Sequence, residues 1–222
     1  MKQLSFTQEY FLCAVNSKGD VPVMTSSEIA ACLVAGGIME LTEQGLIARD
    51  EKKKIAIIAP WDNARPYLKP LYDTIAANKK SKGVDSIVEP YTFSFSDKHL
   101  KALIEALRES LLAADCLDVK EDQGLLKNKT QYVPKPKIVT AVIEKIRAEF
   151  LEEGSMAADV VCLAVLLDAT NLIRSYFSKV ESAAMKKRIK EVRKSDAYAA
   201  VKDVFEYLEA VLAVVVAINV AT

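Results

Sequence analysis

Apolar residues recur at helical spacing along most of this 222-residue chain. The clearest case follows Asp97, where five apolar side chains lie three or four residues apart, as one face of an amphipathic helix requires. These side chains are Leu100, Leu103, Ile104, Leu107 and Leu111. Another helix is predicted from Thr25, whose spacing to Glu28 is that of a capping box, to Gly45, a residue type that readily ends helices. From Lys137 onward the pattern predicts only helices, at 138–150, 156–177, 180–194 and 197–222.

Two short β-hairpins interrupt these helices. The first is predicted at 46–58, around a charged turn at 50–54. The second is predicted from Cys116 to Val133, across a turn at Gly124. A helix followed by a hairpin therefore occurs twice, and each pair is typical of a winged-helix half. The predicted fold class is mainly α: a compact helical bundle core with winged-helix-like lobes and two short β-hairpins.

No low-complexity linker or shift in composition marks a domain boundary. The sequence predicts a single domain over 1–222, with sub-lobes at roughly 1–95, 96–136 and 137–222. The most apolar run, at 210–221, is shorter than the about 20 residues that cross a bilayer. It is predicted to be a buried core helix, with a membrane-inserted hairpin or anchor as the alternative.

Charge and chemistry exclude several classes of function. Thirty basic residues balance thirty acidic ones, whereas nucleic-acid binders usually carry a basic excess, so no nucleic-acid partner is expected. The four cysteines stand far apart and His99 is the only histidine, so neither a zinc site nor a disulfide framework is predicted. The sequence contains no motif that pairs a nucleophile with a general base, and it contains no glycine-rich phosphate-binding loop. The chain is therefore predicted not to be an enzyme and to use no cofactor or metal.

One segment near the carboxyl end has the pattern of an amphipathic helix with a cationic outer face. Its apolar positions are Met185, Ile189 and Val192. Its basic surface is formed by Lys186, Lys187, Lys190 and Arg193. Such a face could lie on an anionic membrane, and the alternative is an ordinary solvated helix held by its three apolar residues.

Several segments, taken in order, resemble one known family over nearly the whole chain. They lie at 4–12, 31–47, 60–71, 107–117 and 163–169. The first is similar to the motif L-T-L-x-E-E-x-L-L, and the second to a helix of small residues ending in E-L-x-x-x-G-x-I. The family is that of Golgi phosphoprotein 3. Because the chain begins directly at the family domain, without the basic arm of the eukaryotic members, a bacterial relative is expected.

The resemblance implies a partner and a site. Eukaryotic members are peripheral Golgi adaptors that bind phosphatidylinositol 4-phosphate and glycosyltransferase tails, and they self-associate through a hairpin that corresponds to 116–133 here. The family's lipid pocket uses one tryptophan and three arginines, and this chain has Thr25, Val34, Lys101 and Ile104 at those positions. Only Lys101 keeps a positive charge, so the specific lipid pocket is expected to be largely lost.

The sequence thus predicts a non-enzymatic, peripheral membrane-associated binding protein. Its expected partners are anionic lipid headgroups or membrane-protein tails, with a homo-oligomer formed through the hairpin at 116–133. Its expected location is the cytoplasm, peripheral on the cytosolic membrane face. One alternative is a winged-helix DNA-binding regulator that uses 29–43 as its recognition helix, although this helix offers phosphates almost no positive charge. Another is a structural, self-associating protein.

Overall fold

A computed structural model of the chain describes residues 3–77, 83–92, 97–123, 128–151, 156–192 and 194. Five further positions are described near the carboxyl end: Lys202, Glu206, Glu209, Ala210 and Ala213. Three features of the sequence prediction lie outside the described residues. They are the turn at Gly124, the basic residue Arg193 and most of the apolar run at 210–221.

Helices dominate the described residues, and the predicted mainly α fold is confirmed. The helices are α1 (Phe6–Ala14), α2 (Ser26–Glu43), α3 (Lys69–Ala76), α4 (Val84–Thr92), α5 (Lys98–Ala113), α6 (Pro136–Leu151), α7 (Ala158–Ala169), α8 (Ile173–Tyr176) and α9 (Lys179–Val192). Two short 3₁₀ turns lie at Val23–Thr25 and Pro66–Leu68.

Both predicted hairpins are present and antiparallel. The first pairs β1 (Ile47–Arg49) with β2 (Ile55–Ile57), and the second pairs β3 (Leu117–Gln123) with β4 (Asn128–Pro134). In the second hairpin Val119 stands opposite Tyr132, so these two side chains lie on the same face.

Local details differ from the prediction at three places. Thr25 precedes α2 but makes no side-chain cap, so the predicted capping box is wrong; Thr25 ends a 3₁₀ turn with ψ 18°, not the extended backbone that an N-cap usually has. The helix predicted over 156–177 breaks at Asn171, whose φ is +59°. Helix α4, which contains Pro90, was not predicted at all.

The core is built around α2 and α7, whose side chains are buried on nearly every face. Two adjacent glycines let neighbours approach α2 closely: a methyl group at Gly37 would lie 2.6 Å from a Leu71 methyl carbon, and one at Gly36 would lie 2.6 Å from the Thr7 hydroxyl. Among the described helices, only the segment Val23–Glu43 is long and apolar enough to cross a membrane, and 67% of its most apolar window is buried within the fold. The segment therefore fits a core helix. Residues 29–41 are buried, whereas the DNA-binding alternative uses 29–43 as an exposed recognition helix.

Candidate functional site

The turn that follows α1 is a closed five-residue loop from Asn16 to Asp20. The Asn16 side-chain oxygen accepts hydrogen bonds from the backbone N–H of Lys18 (2.8 Å) and of Asp20 (3.1 Å). The Asn16 N–H donates to the Asp20 carbonyl at 2.9 Å, and Gly19 sits between them with φ +76°. These bonds fix the path of the chain just before the Val23–Thr25 turn.

The same five-residue arrangement recurs in the first hairpin. Here the Asp50 carboxylate accepts from the backbone N–H of Lys52 (2.9 Å) and of Lys54 (2.8 Å), and the Asp50 N–H donates to the Lys54 carbonyl at 2.8 Å. The position equivalent to Gly19 is Lys53, with φ +60°. The turn itself therefore tolerates a side chain at its left-handed position.

Gly19 is needed because the second hairpin lies directly against it. A β-carbon at Gly19 would lie 1.9 Å from the Tyr132 carbonyl oxygen and 2.6 Å from its carbonyl carbon, both in the backbone of β4. No side chain fits between the two segments. The 16–20 turn and β4 are thus in direct backbone contact.

Arg108 of α5 contacts both the 16–20 turn and β4 at their junction. Its guanidinium donates to the Gly19 carbonyl at 2.9 Å, lies 3.7 Å from the Asp20 carboxylate, and stands 5.3 Å from the centre of the Tyr132 ring. The Arg108 side chain is largely buried, so these contacts are shielded from solvent better than a surface ion pair would be. Three elements distant in sequence therefore meet at one side chain.

Two of the predicted lipid-site residues lie on the same face of α5 as Arg108. Lys101 and Ile104 precede Arg108 by seven and four residues, which is the spacing of one helical stripe. The Lys101 side chain is 72% exposed and its ammonium lies 3.8 Å from the Asp97 carboxylate, whereas Ile104 packs partly against the core. Arg108, at one end of this stripe, contacts the 16–20 turn, and Thr25 follows that turn in the sequence.

The other two predicted residues are placed differently. Thr25 is half-buried at the end of its 3₁₀ turn. Val34 is completely buried in the middle of α2, so it packs the core and lines no open surface. Whether Thr25, Lys101 and Ile104 contact a lipid stays a prediction.

The predicted basic surface lies on α9, and its amphipathic pattern is observed. Met185, Ile189 and Val192 are buried, as the spacing required. Two of the lysines have acidic neighbours: Lys186 lies 2.9 Å from Asp168, and Lys187 lies 3.8 Å from Glu191. Lys190 is exposed. Part of the positive charge of this face is therefore compensated, and membrane contact through it stays a prediction.

A cavity of about 780 Å³ opens between the start of α1, the Pro66–Leu68 turn and the second half of α5. A buried carboxylate, that of Glu40, lies beside it. Glu40 accepts a hydrogen bond from the Tyr67 hydroxyl and one from the Thr7 backbone N–H at 3.0 Å, and it lies 3.4 Å from the Arg65 guanidinium. Burial, and then the Glu40 charge, raise the pKa of Tyr67 well above its ordinary value. Burial acts to lower the pKa of Arg65, but the Glu40 and Glu43 carboxylates outweigh it and raise that pKa.

The charged groups around this cavity are mostly paired with one another. At the rim, Glu43 accepts from Arg65 at 2.9 Å, and Asp159 lies 3.6 Å from Lys145. His99 does not line the cavity; its ring nitrogen lies 3.2 Å from the Thr74 hydroxyl on another part of the surface. The Tyr67 hydroxyl also lies 2.7 Å from the Ser5 hydroxyl, so the polar network beside the cavity joins α1, α2 and the Pro66–Leu68 turn.

The comparison with known proteins decides the family. The sequence profile of the Golgi phosphoprotein 3 (GPP34) family matches residues 7–208 of the 222. The chain belongs to this family. The resemblance identified from the sequence is thereby confirmed. No curated protein matches the chain.

Membership in the Golgi phosphoprotein 3 family fits a binding role. Its eukaryotic members are non-enzymatic, Golgi-associated peripheral adaptors that bind lipids and partner protein tails. In this chain Arg108 belongs to the α5 stripe, and it contacts the second hairpin through the Tyr132 ring.

Sequence reasoning missed the residues that make this junction. Neither Arg108 nor Gly19 was singled out as a site residue. Val23 and Met24 were also missed, although they are two large apolar residues that stand just before the start of α2 with no helical partner. The only indication in the sequence was that these two apolar residues belong to no helical or strand pattern.

Proposed function

We propose that this chain is a non-enzymatic binding protein that attaches peripherally to membranes with anionic headgroups. The attachment uses the face formed by the 16–20 turn, the Lys101–Arg108 stripe of α5 and the second hairpin. The proposal places the protein in the cytoplasm, on the cytosolic face of the membrane. Membrane-protein tails are a further class of partner on that face.

The junction at Arg108 carries this proposal. It holds the α5 stripe, the 16–20 turn and β4 in one fixed arrangement, so their exposed groups face outward together. Lys18 and Lys101 are exposed cations on this side of the molecule. Each exposed lysine close to an anionic lipid surface contributes about 1 kcal/mol of attraction. Binding is therefore weak and falls as salt increases.

Liposome co-sedimentation tests the proposal. Vesicles that are neutral, that contain phosphatidylglycerol or cardiolipin, and that contain phosphatidylinositol 4-phosphate are compared at low and moderate salt. We expect binding to every anionic vesicle and a fall with salt, because a pocket with a single remaining cation does not select one headgroup. Lys101→Glu reverses a charge near the membrane and should lower partitioning roughly tenfold.

A matched variant separates this face from the basic surface on α9. Lys187 is also highly exposed and lies next to an acidic residue one turn away, Glu191, much as Lys101 lies next to Asp97. We expect Lys187→Glu to bind vesicles like the unaltered protein. A loss with Lys187→Glu but not with Lys101→Glu would move the attachment to α9. No binding to any anionic vesicle would refute the proposal and leave self-association through the hairpin at 116–133 as the stronger function.

A further inference from the structure

We propose that Val23 and Met24 form a membrane-inserting turn that enters the bilayer between the headgroups and the acyl chains. This inference rests on the proposed function, because it concerns the same face of the protein. Val23 is 87% exposed and Met24 is 91% exposed. Among the described residues they are the two most exposed large apolar side chains, and they are adjacent.

The local structure keeps both side chains directed outward. The Thr25 N–H donates to the Pro22 carbonyl at 3.2 Å, and the Ser26 hydroxyl donates to the Val23 carbonyl at 3.0 Å. These two bonds close the 3₁₀ turn, and Pro22 restricts the backbone that enters it. The turn is therefore a short, closed projection at the start of α2.

The surroundings of the turn suit a bilayer surface. The segment 21–27 contains no charged residue, so entry to the depth of one side chain removes no charge from water. The charge just before it belongs to Asp20, whose carboxylate lies 3.7 Å from Arg108. The exposed ammonium groups of Lys18 and Lys101 remain at headgroup level on the proposed face.

The size of the apolar surface favours lipid over a protein partner. A stable protein interface buries about 800 Å² on each partner, drawn from 20 or more residues, and two side chains fall far short of it. A bilayer needs no complementary surface. Transfer of one methionine side chain out of water is worth about tenfold or more in partitioning.

Vesicle partitioning of Met24→Asp tests the inference. We expect a loss of about tenfold or more on phosphatidylglycerol vesicles, with the salt dependence retained because the lysines are unchanged. Val180→Asp is the matched control, since Val180 is an exposed apolar residue (80%) at the start of α9 and should change partitioning less than twofold. Circular dichroism confirms that each variant is folded.

A fluorescence measurement reports insertion directly. The four native cysteines are all buried, so a thiol-reactive, environment-sensitive dye should label Met24→Cys or Val180→Cys selectively. We expect vesicles to raise and blue-shift the emission of the dye at position 24 and to leave that at position 180 unchanged.

The outcomes separate the two proposals. If the unaltered protein binds vesicles but Met24→Asp binds equally well and the dye at position 24 does not respond, the insertion is refuted and the proposed function stands. If the unaltered protein does not bind anionic vesicles, both fail. A change in self-association of Met24→Asp in sedimentation velocity without vesicles would assign the turn to a protein contact and would also refute the insertion.

Discussion

Replacement of Gly19 by alanine tests the junction on which the proposed face depends. An alanine methyl would lie 1.9 Å from the Tyr132 carbonyl oxygen, a separation that no real contact allows, and both atoms nearest to it belong to backbone. The clash therefore cannot be relieved by a side-chain rotation. Either the 16–20 turn or β4 must move.

The expected magnitude has two parts. A non-glycine residue in the left-handed region costs about 1–2 kcal/mol. Forcing a methyl group into a fully packed contact costs about 1–3 kcal/mol more. Gly45→Ala separates the two parts, because Gly45 has φ +70° and nothing lies within 4 Å of a β-carbon built there. We expect Gly19→Ala to destabilise the protein by about 2–5 kcal/mol and Gly45→Ala by about 1–2 kcal/mol.

Urea unfolding followed by circular dichroism measures both losses, and hydrogen exchange locates them. If the second hairpin shifts to accept the methyl group, the amides of β3 and β4 should exchange faster in Gly19→Ala and remain protected in Gly45→Ala. Equal losses in the two variants, with unchanged exchange in the hairpin, would show that the turn and β4 are not in contact.

The remaining predictions concern charge. Glu40→Ala should lower the free energy of unfolding by about 3–5 kcal/mol, because it removes a buried carboxylate that accepts from Thr7 and Tyr67. Glu43 is 61% exposed, so Glu43→Ala should lower it by about 1 kcal/mol or less. Equal losses of the two variants in urea unfolding would contradict this prediction. Hydrogen bonds, first from Arg147 and then from the backbone and hydroxyl of residue 178, lower the pKa of Glu181 to about 2 from an ordinary 4.5. Its contribution to stability is therefore complete above about pH 4.5 and is lost as pH falls toward 2. In Arg147→Ala the free energy of unfolding should fall less steeply between about pH 4.5 and pH 2. An unchanged pH dependence would show that Arg147 does not lower the pKa of Glu181.

Local signals in the sequence were enough for the elements that follow a simple period. The stripe of α5, the extent of α2 up to Gly45, and both hairpins are encoded by apolar spacing and turn residues, and all appear as predicted. Helix α4 was missed because it has only nine residues and contains Pro90, a residue type that normally argues against a helix interior.

The candidate site could be predicted only in part because its contacts are long-range. Gly19, Arg108 and Tyr132 are far apart in sequence, and no periodicity links them. Alignment to the family selected Lys101 on α5, and it also selected Val34, whose burial only the fold reveals. The exposure of Val23 and Met24 could not be predicted either, because it depends on which surfaces the rest of the folded chain covers.

The two five-residue turns make Gly19 informative beyond this chain. In the first hairpin, where the turn points into solvent, lysine occupies the left-handed position; beside β4, that position is glycine. The glycine is thus a signature of the neighbouring strand and not of the turn. When other family members are aligned, glycine at this position would mark chains whose second hairpin packs against the turn, and any larger residue would mark chains in which the two have separated.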